Sequence, residues 1–265
     1  MSLTVLYCDS RFRSEGTNSN FKIQLRESLN LPNAQLRVDN VRLFNSFFTV
    51  TEDNCFAYFS NITDGSLLSA QPVEGDANPL LAVKMPLGVY EAEDFATTLA
   101  SLSGRSVTYD GRTNSLSISA ASNFQHLDDY SLLSFPALYF PNGATPTVPR
   151  SINNILRTYQ LVFENNVPTQ RFDFINMQPY DVLFLRSTRL SCEGSFGPRM
   201  EHDILASIPI SGLAGEVIEY SSGDNEWQSL GDVSLREIDF RLTDIHNNPV
   251  DTKDLPISFR ILLQS

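Results

Sequence analysis

The C-terminal part of the chain, from His202-Asp203-Ile204-Leu205 to Pro256-Ile257-Ser258-Phe259-Arg260-Ile261-Leu262-Leu263, reads as four strands joined by turns. Its clearest stretch is Val233 to Leu242, where apolar residues alternate with polar or charged ones. A period of two places successive side chains on opposite faces, so this segment is expected to be a half-buried strand. Because the chain ends on a strand, its C-terminus is expected to lie within a sheet. Antiparallel sheets with one apolar face pack in pairs, so the expected class is an all-β dominated antiparallel β-sandwich.

The 265 residues are enough for one large core or two modest ones. Earlier strands are expected at Leu3 to Tyr7, Phe21 to Leu25 and Gln35 to Val50, with Ser14 to Asn20 as a polar loop. The third is long and is interrupted by Asn40 and Asn45-Ser46, which predicts a bend or a bulge. After Val50 the pattern changes. A strand at Leu80 to Met85 precedes the one convincing helix, which has Glu91, Glu93 and Asp94 in its first turn. Phe95, Leu99 and Leu102 are spaced along one face, and Gly104 follows its end. Short strands at Ser106 to Tyr109 and Ser115 to Ile118, joined through Asp110-Gly111, complete an expected β-α-β-β module. Further strands are expected at Thr158 to Glu164, Arg171 to Ile175 and Asp181 to Leu190. The reading is therefore a discontinuous sandwich, residues 1–50 and 177–265, with a small α/β domain inserted at 51–176.

Nineteen basic against thirty-one acidic residues give a net charge of −12, which disfavours direct contact with a phosphate backbone. Arg11, Arg13, Lys22 and Arg26 cluster near the N-terminus but read as a solvated strand edge. Residues 51–170 hold five basic and twelve acidic residues, so the insertion carries much of the negative charge. Cys8, Cys55 and Cys192 are odd in number and far apart, and read as small buried hydrophobes in a reducing compartment rather than a metal site. The first residues lack the charge and apolar run of a secretory signal, and no stretch reaches the length of a membrane span.

No catalytic constellation is evident. The histidines His126, His202 and His246 are not near a G-x-S-x-G elbow, and Glu193 to Pro198 has its glycines at the wrong offset. Glycine-rich phosphate cradles are missing, so no nucleotide cofactor is expected. Asp244 to Asp251 places oxygen ligands in a turn, but Asn247-Asn248-Pro249 is explained by turn formation, and no metal is expected. Trp227, in an acidic loop, could stack on a sugar or pack against a neighbouring subunit. The run Phe135-Pro136-Ala137-Leu138-Tyr139-Phe140-Pro141 is apolar inside a proline-rich loop, and either folds over its own domain or is buried against another subunit. Phe135, Leu138, Tyr139, Phe140 and Trp227 are thus the candidate subunit contacts.

Several strings together resemble one family. Tyr7-Cys8-Asp9-Ser10-Arg11-Phe12-Arg13, Asn20-Phe21-Lys22-Ile23-Gln24-Leu25 and Arg37 to Val41 leading to Phe44 to Val50 are similar to the penton, or minor capsid, proteins of Polinton or Maverick elements and related virophage-like viruses. Gly88-Val89-Tyr90 to Ile118, Phe240 to Asp244, Asn248 to Asp251 and Ile257-Ser258-Phe259 extend the likeness over most of the chain. The resemblance implies a jelly roll that assembles as a homopentamer at the fivefold vertices of an icosahedral virion, among a major capsid protein with a double jelly roll. It also implies a structural protein without enzyme activity, made in the host cytoplasm or nucleus. The competing reading is a viral spike or a receptor- or carbohydrate-binding β-sandwich, with Trp227 and the Asp244 to Asp251 turn as its site. A glycosidase-like hydrolase would instead need two carboxylates facing each other in a cleft.

Overall fold

The computed structural model describes residues 2–60, 80–119, 125–127, 151–156, 159–164, 167–192, 197, 200–223 and 225–265. The chain divides into two compact units, Met1–Phe47 with Tyr180–Ser265, and Phe48–Pro179. The first unit opens with β1 (Leu3–Asp9), β2 (Glu15–Gly16) and β3 (Asn20–Phe44). The second contains β4 (Phe56–Ser60), β5 (Leu80–Lys84), α1 (Ala92–Ser103), β6 (Ser106–Asp110), β7 (Ser115–Ser119), β8 (Gln125–His126), β9 (Tyr159–Glu164) and β10 (Val167–Phe172). The first unit then resumes with β11 (Val182–Arg186), β12 (Ile204–Pro209), β13 (Val217–Tyr220), β14 (Gln228–Thr243) and β15 (Ser258–Gln264).

In the first unit the strand order is β1-β15-β3-β14-β11-β12, with β2 and β13 also pairing to β3. β1 and β15 run antiparallel from Leu3 opposite Gln264 to Asp9 opposite Ser258, so the C-terminal strand is built into the sheet as expected. β3 is the axis: its first part pairs with β14, and its last part pairs with β15 on one edge and β13 on the other. Drawn straight, the 20 residues from Phe21 to Asn40 would span roughly 60 Å. Yet Phe259, which lies opposite the Asp39 to Arg42 stretch of β3, has its ring 6.4 Å from that of Phe21. The β3–β14 ribbon therefore folds back, and the single sheet becomes two facing layers, an antiparallel jelly-roll β-sandwich.

Irregular backbone at defined positions permits the bend. Four residues of β3, Leu25 to Ser28, oppose Arg236 alone, and the register shifts again on either side of Gly231. Asn33 (φ 48°) and Asn40 (φ 50°) adopt left-handed conformations at such shifts, and the Asn33 N–H donates to the Asp232 carboxylate at 2.8 Å. In β14 the inward residues are Leu235, then Ile238, Phe240 and Leu242, and the change from odd to even positions falls at the Leu235/Glu237 shift. Two expectations change here. The separate strands at Phe21 to Leu25 and Gln35 to Val50 are one strand, because Arg26-Glu27-Ser28 and Pro32-Asn33 are bulges rather than turns. It stops at Phe44, where the buried Asn45 donates from its backbone to Glu216 O and from its side chain to Gly212 O.

The expected long strand Asp181 to Leu190 is also shorter, since β11 ends at Arg186. Beyond it Ser187, Thr188 and Arg189 wrap the Asp239 carboxylate, which accepts from the Thr188 and Arg189 N–H groups at 3.0 Å each and from the Thr188 hydroxyl at 2.9 Å. Partial burial pushes the Asp239 carboxyl up, but these donors outweigh it and hold the group below the usual carboxylate range. Arg186 is fully buried, its guanidinium donating to Thr243 Oγ1 at 2.9 Å and to Asp203 at 2.8 Å; Arg241 shares Asp203 at 2.7 Å.

Among the described residues the second unit forms two sheets, β6-β7-β10-β9 and β5-β4-β8. The helix forms where acidic residues start it and Gly104, at φ 66°, ends it by donating to Ala100 O. It buries Phe95, Ala96 and Leu99; Leu102, expected on the same face, is exposed in the last turn. The β-α-β-β module is present as an order of elements but does not form one sheet, because β5 pairs with β4 whereas the β6–β7 hairpin pairs with β10. β10 also lies earlier than the expected Arg171 to Ile175, and Ile175 instead donates its N–H to Asn114 O.

Replacing Asp203 by Ala removes the nearer carboxylate of a buried guanidinium and leaves it only Glu201 at 3.5 Å, which is expected to cost about 3 kcal/mol in urea denaturation; a change below about 0.5 kcal/mol contradicts the buried pair. For Asp239 the sign is that of a carboxyl lowered on folding: its stabilisation is complete above the unfolded value, about 3.9, and disappears as pH falls through the native value. The stability gap between the native chain and Asp239→Asn should therefore be constant from neutral pH to about 4 and shrink below it. A gap that widens in acid would contradict the assignment.

Candidate functional site

The outer faces of the first unit differ in character. On the layer formed by β1, β15 and the end of β3, Leu3, Val5 and Tyr7 point outward from the edge strand, and Tyr7 is 78% exposed. Opposite them on β15 stand Gln264, Leu262 and Arg260, and beyond these on β3 stand Gln35, Arg37 and Asp39. Arg260 pairs with Asp39 at 2.6 Å, and Gln264 donates to Gln35 at 2.6 Å. Farther along β3, Phe44 and Val217 form an exposed apolar pair beside the Arg42–Glu219 ion pair at 3.0 Å. This face thus combines apolar side chains with polar groups already paired within the subunit, the composition of a contact surface.

Trp227 belongs to the same face. It is half-buried, and the Arg37 guanidinium lies over its ring at 5.4 Å, so one side of the indole is already covered. Phe135, Leu138, Tyr139 and Phe140 lie outside the described residues. The structure therefore brings Trp227 onto Arg37 of β3, whose cross-strand neighbour is Leu262, and into one groove with Phe184 and Tyr220. Sequence reasoning missed the outward β1 row because Leu6 and Cys8 make the inward side of β1 apolar too, and no alternation stands out.

The opposite layer is charged. Glu15, Lys22, Glu237, Asp239 and Arg241 line a cleft of about 470 Å³. Lys22 bridges Glu15 at 2.9 Å and Glu237 at 3.7 Å. Arg11 pairs with Asp9 at 2.6 Å, and Arg13 donates to the carbonyls of Ser10 and Gly16. The N-terminal cations Arg11, Arg13 and Lys22 are thus engaged within the subunit.

The groups that would carry chemistry are dispersed. His126 is buried in the second unit edge-on to Phe59 and Phe172, while His202 and His246 are exposed on the first. Among the described residues no three His, Cys, Asp or Glu side chains are grouped to hold a metal ion. The Asp244 carboxylate is filled by the N–H groups of His246 and Asn248 and by the Asn248 amide, which accounts for the turn. Burial pushes the Cys8 thiol up to about 12 and the Cys192 thiol up to about 11.

No protein-family model and no curated protein matches the sequence. Solved structures do match. The crystal structure of the mavirus penton protein superposes with a TM-score of 0.53 at 11% identity, covering 100% of both chains. A chain from the cryo-EM structure of the Sputnik virophage aligns with a TM-score of 0.45 at 13% identity, over 98% of this chain and 97% of that one. The fold of this chain is thus similar to that of the mavirus penton protein.

With their thiols protonated and buried, Cys8 and Cys192 should not react with a thiol-specific dye at pH 8 until the protein is unfolded in urea. Stoichiometric labelling of the native protein within minutes would contradict their placement.

Proposed function

We propose that this protein is a structural virion subunit of penton type, occupying the fivefold vertices of an icosahedral capsid. The observation that carries the reading is the fold likeness to the mavirus penton protein over the whole of both chains. The physical chemistry agrees with it. Closed rings follow from one repeated heterologous contact, and the first unit offers broad sheet faces for such a contact. Its β1 row, with Trp227, supplies the side chains that a neighbouring copy buries.

In this reading the partners are further copies in a homopentamer and, around it, a major capsid protein with a double jelly roll. The first unit, close to the expected residues 1–50 and 177–265, forms the wall of the vertex, and the second is an excursion from it. The protein catalyses no reaction, binds no cofactor and leaves the genome to other proteins. Its net charge of −12 and the internal pairing of Arg11 and Lys22 support that division of labour.

Light scattering of the purified protein should report a particle of five 29.7 kDa chains, with fivefold rings in negative stain. Replacing Val5 and Tyr7 by Asp should dissociate the ring without lowering the thermal midpoint, since both side chains are exposed. A protein that stays monomeric at every concentration reached, or that forms trimers, would overturn the reading.

A further inference from the structure

β12 closes the strand order of the first unit, and among the described residues no strand pairs with its far edge. A groove of about 490 Å³ lies beside it, and residues 204–207, four in succession, contribute to its lining. A cavity resting on the face of a strand meets alternate residues, because successive side chains point to opposite sides. An unbroken run of four means that the groove follows the edge, where main-chain N–H and C=O groups are presented. The strand is also irregular there. Leu185 opposes Ala206 and Arg186 opposes Ile204, which leaves Leu205 as an extra residue in the ladder.

The other walls are chemically specific. Trp227, Phe184 and Tyr220 give the groove aromatic surfaces, and Glu226 places a carboxylate in its lining. Gln228 donates from Nε2 to Leu205 O at 3.1 Å, which fixes the orientation of its amide and leaves its Oε1 buried with no donor among the described residues. An acceptor withdrawn from water in this way requires an N–H or O–H from whatever occupies the groove.

We propose that this groove is a strand-addition site that receives an extended segment of the surrounding shell protein. The segment lies beside β12, exchanges main-chain hydrogen bonds with residues 204–207 and gives one N–H to Gln228 Oε1. Its alternate side chains rest on Phe184 and Tyr220, and a Lys or Arg faces Glu226. Strands β1 and β15 of another copy are not available as donors, because they pair with each other over seven residues. The inference rests on the vertex reading above, which supplies the neighbour.

The test is amide hydrogen exchange on the full chain, free as the ring and incorporated into particles assembled with the shell protein. Those amides of residues 204–207 that exchange fast in the free ring should slow by about tenfold or more in the particle. A Ser207→Lys variant, charged at this exposed edge position, should keep its thermal midpoint but enter particles roughly tenfold less well. If the chain occupies the particle while these amides are unchanged, or if Ser207→Lys enters particles normally, the groove assignment falls and the vertex reading stands. If the chain is absent from the particles, the vertex reading fails and takes the groove assignment with it.

Discussion

Everything in the first unit depends on the β3–β14 ribbon folding back on itself. A two-stranded ribbon of this length would be unstable alone, with one apolar face open to water. Its bulges bring the rings of Phe21, Phe240 and Phe259 within 4.9 to 6.4 Å of one another, so each inward row covers the other. Burial of each ring contributes about 2–3 kcal/mol relative to exposure. The bend also assigns the remaining strands: β15 and β1 extend one layer from the end of β3, and β11 and β12 extend the other from the end of β14. Asn33, Asn40 and Gly231 are the residues whose positive φ makes the shifts possible.

Two dissimilar outer faces result from that closure. The layer bearing β1 carries exposed Leu, Val and Tyr between internally paired polar groups, while the other layer carries charges neutralised by near neighbours.

Much of this fold was legible in the residues. Alternation in Val233 to Leu242 and in Ile257 to Leu263 marked two central strands, and the helix was marked by its acidic start, its apolar face and Gly104. Other features required long-range information. Pro32-Asn33 looks like a turn in sequence and is a bulge only because Asp232, two hundred residues away, receives the Asn33 N–H. Arg186 ends an apolar run as if it began a loop, yet it is buried because Asp203 and Thr243 wait for it. Trp227 could be singled out as an aromatic in a polar loop, but its partner Arg37 lies on a different strand. The groove beside β12 draws its walls from strands spread between residues 38 and 228, and no local pattern announces it.

The account is tested most directly by a high-resolution cryo-EM map of particles containing this chain, refined at their fivefold axes. It predicts five copies around each axis, with the folded-back β3–β14 ribbon in the wall and the β1 row with Trp227 buried between neighbours. Density showing the chain away from the vertices, or at them with the β1 face open to solvent, would contradict it.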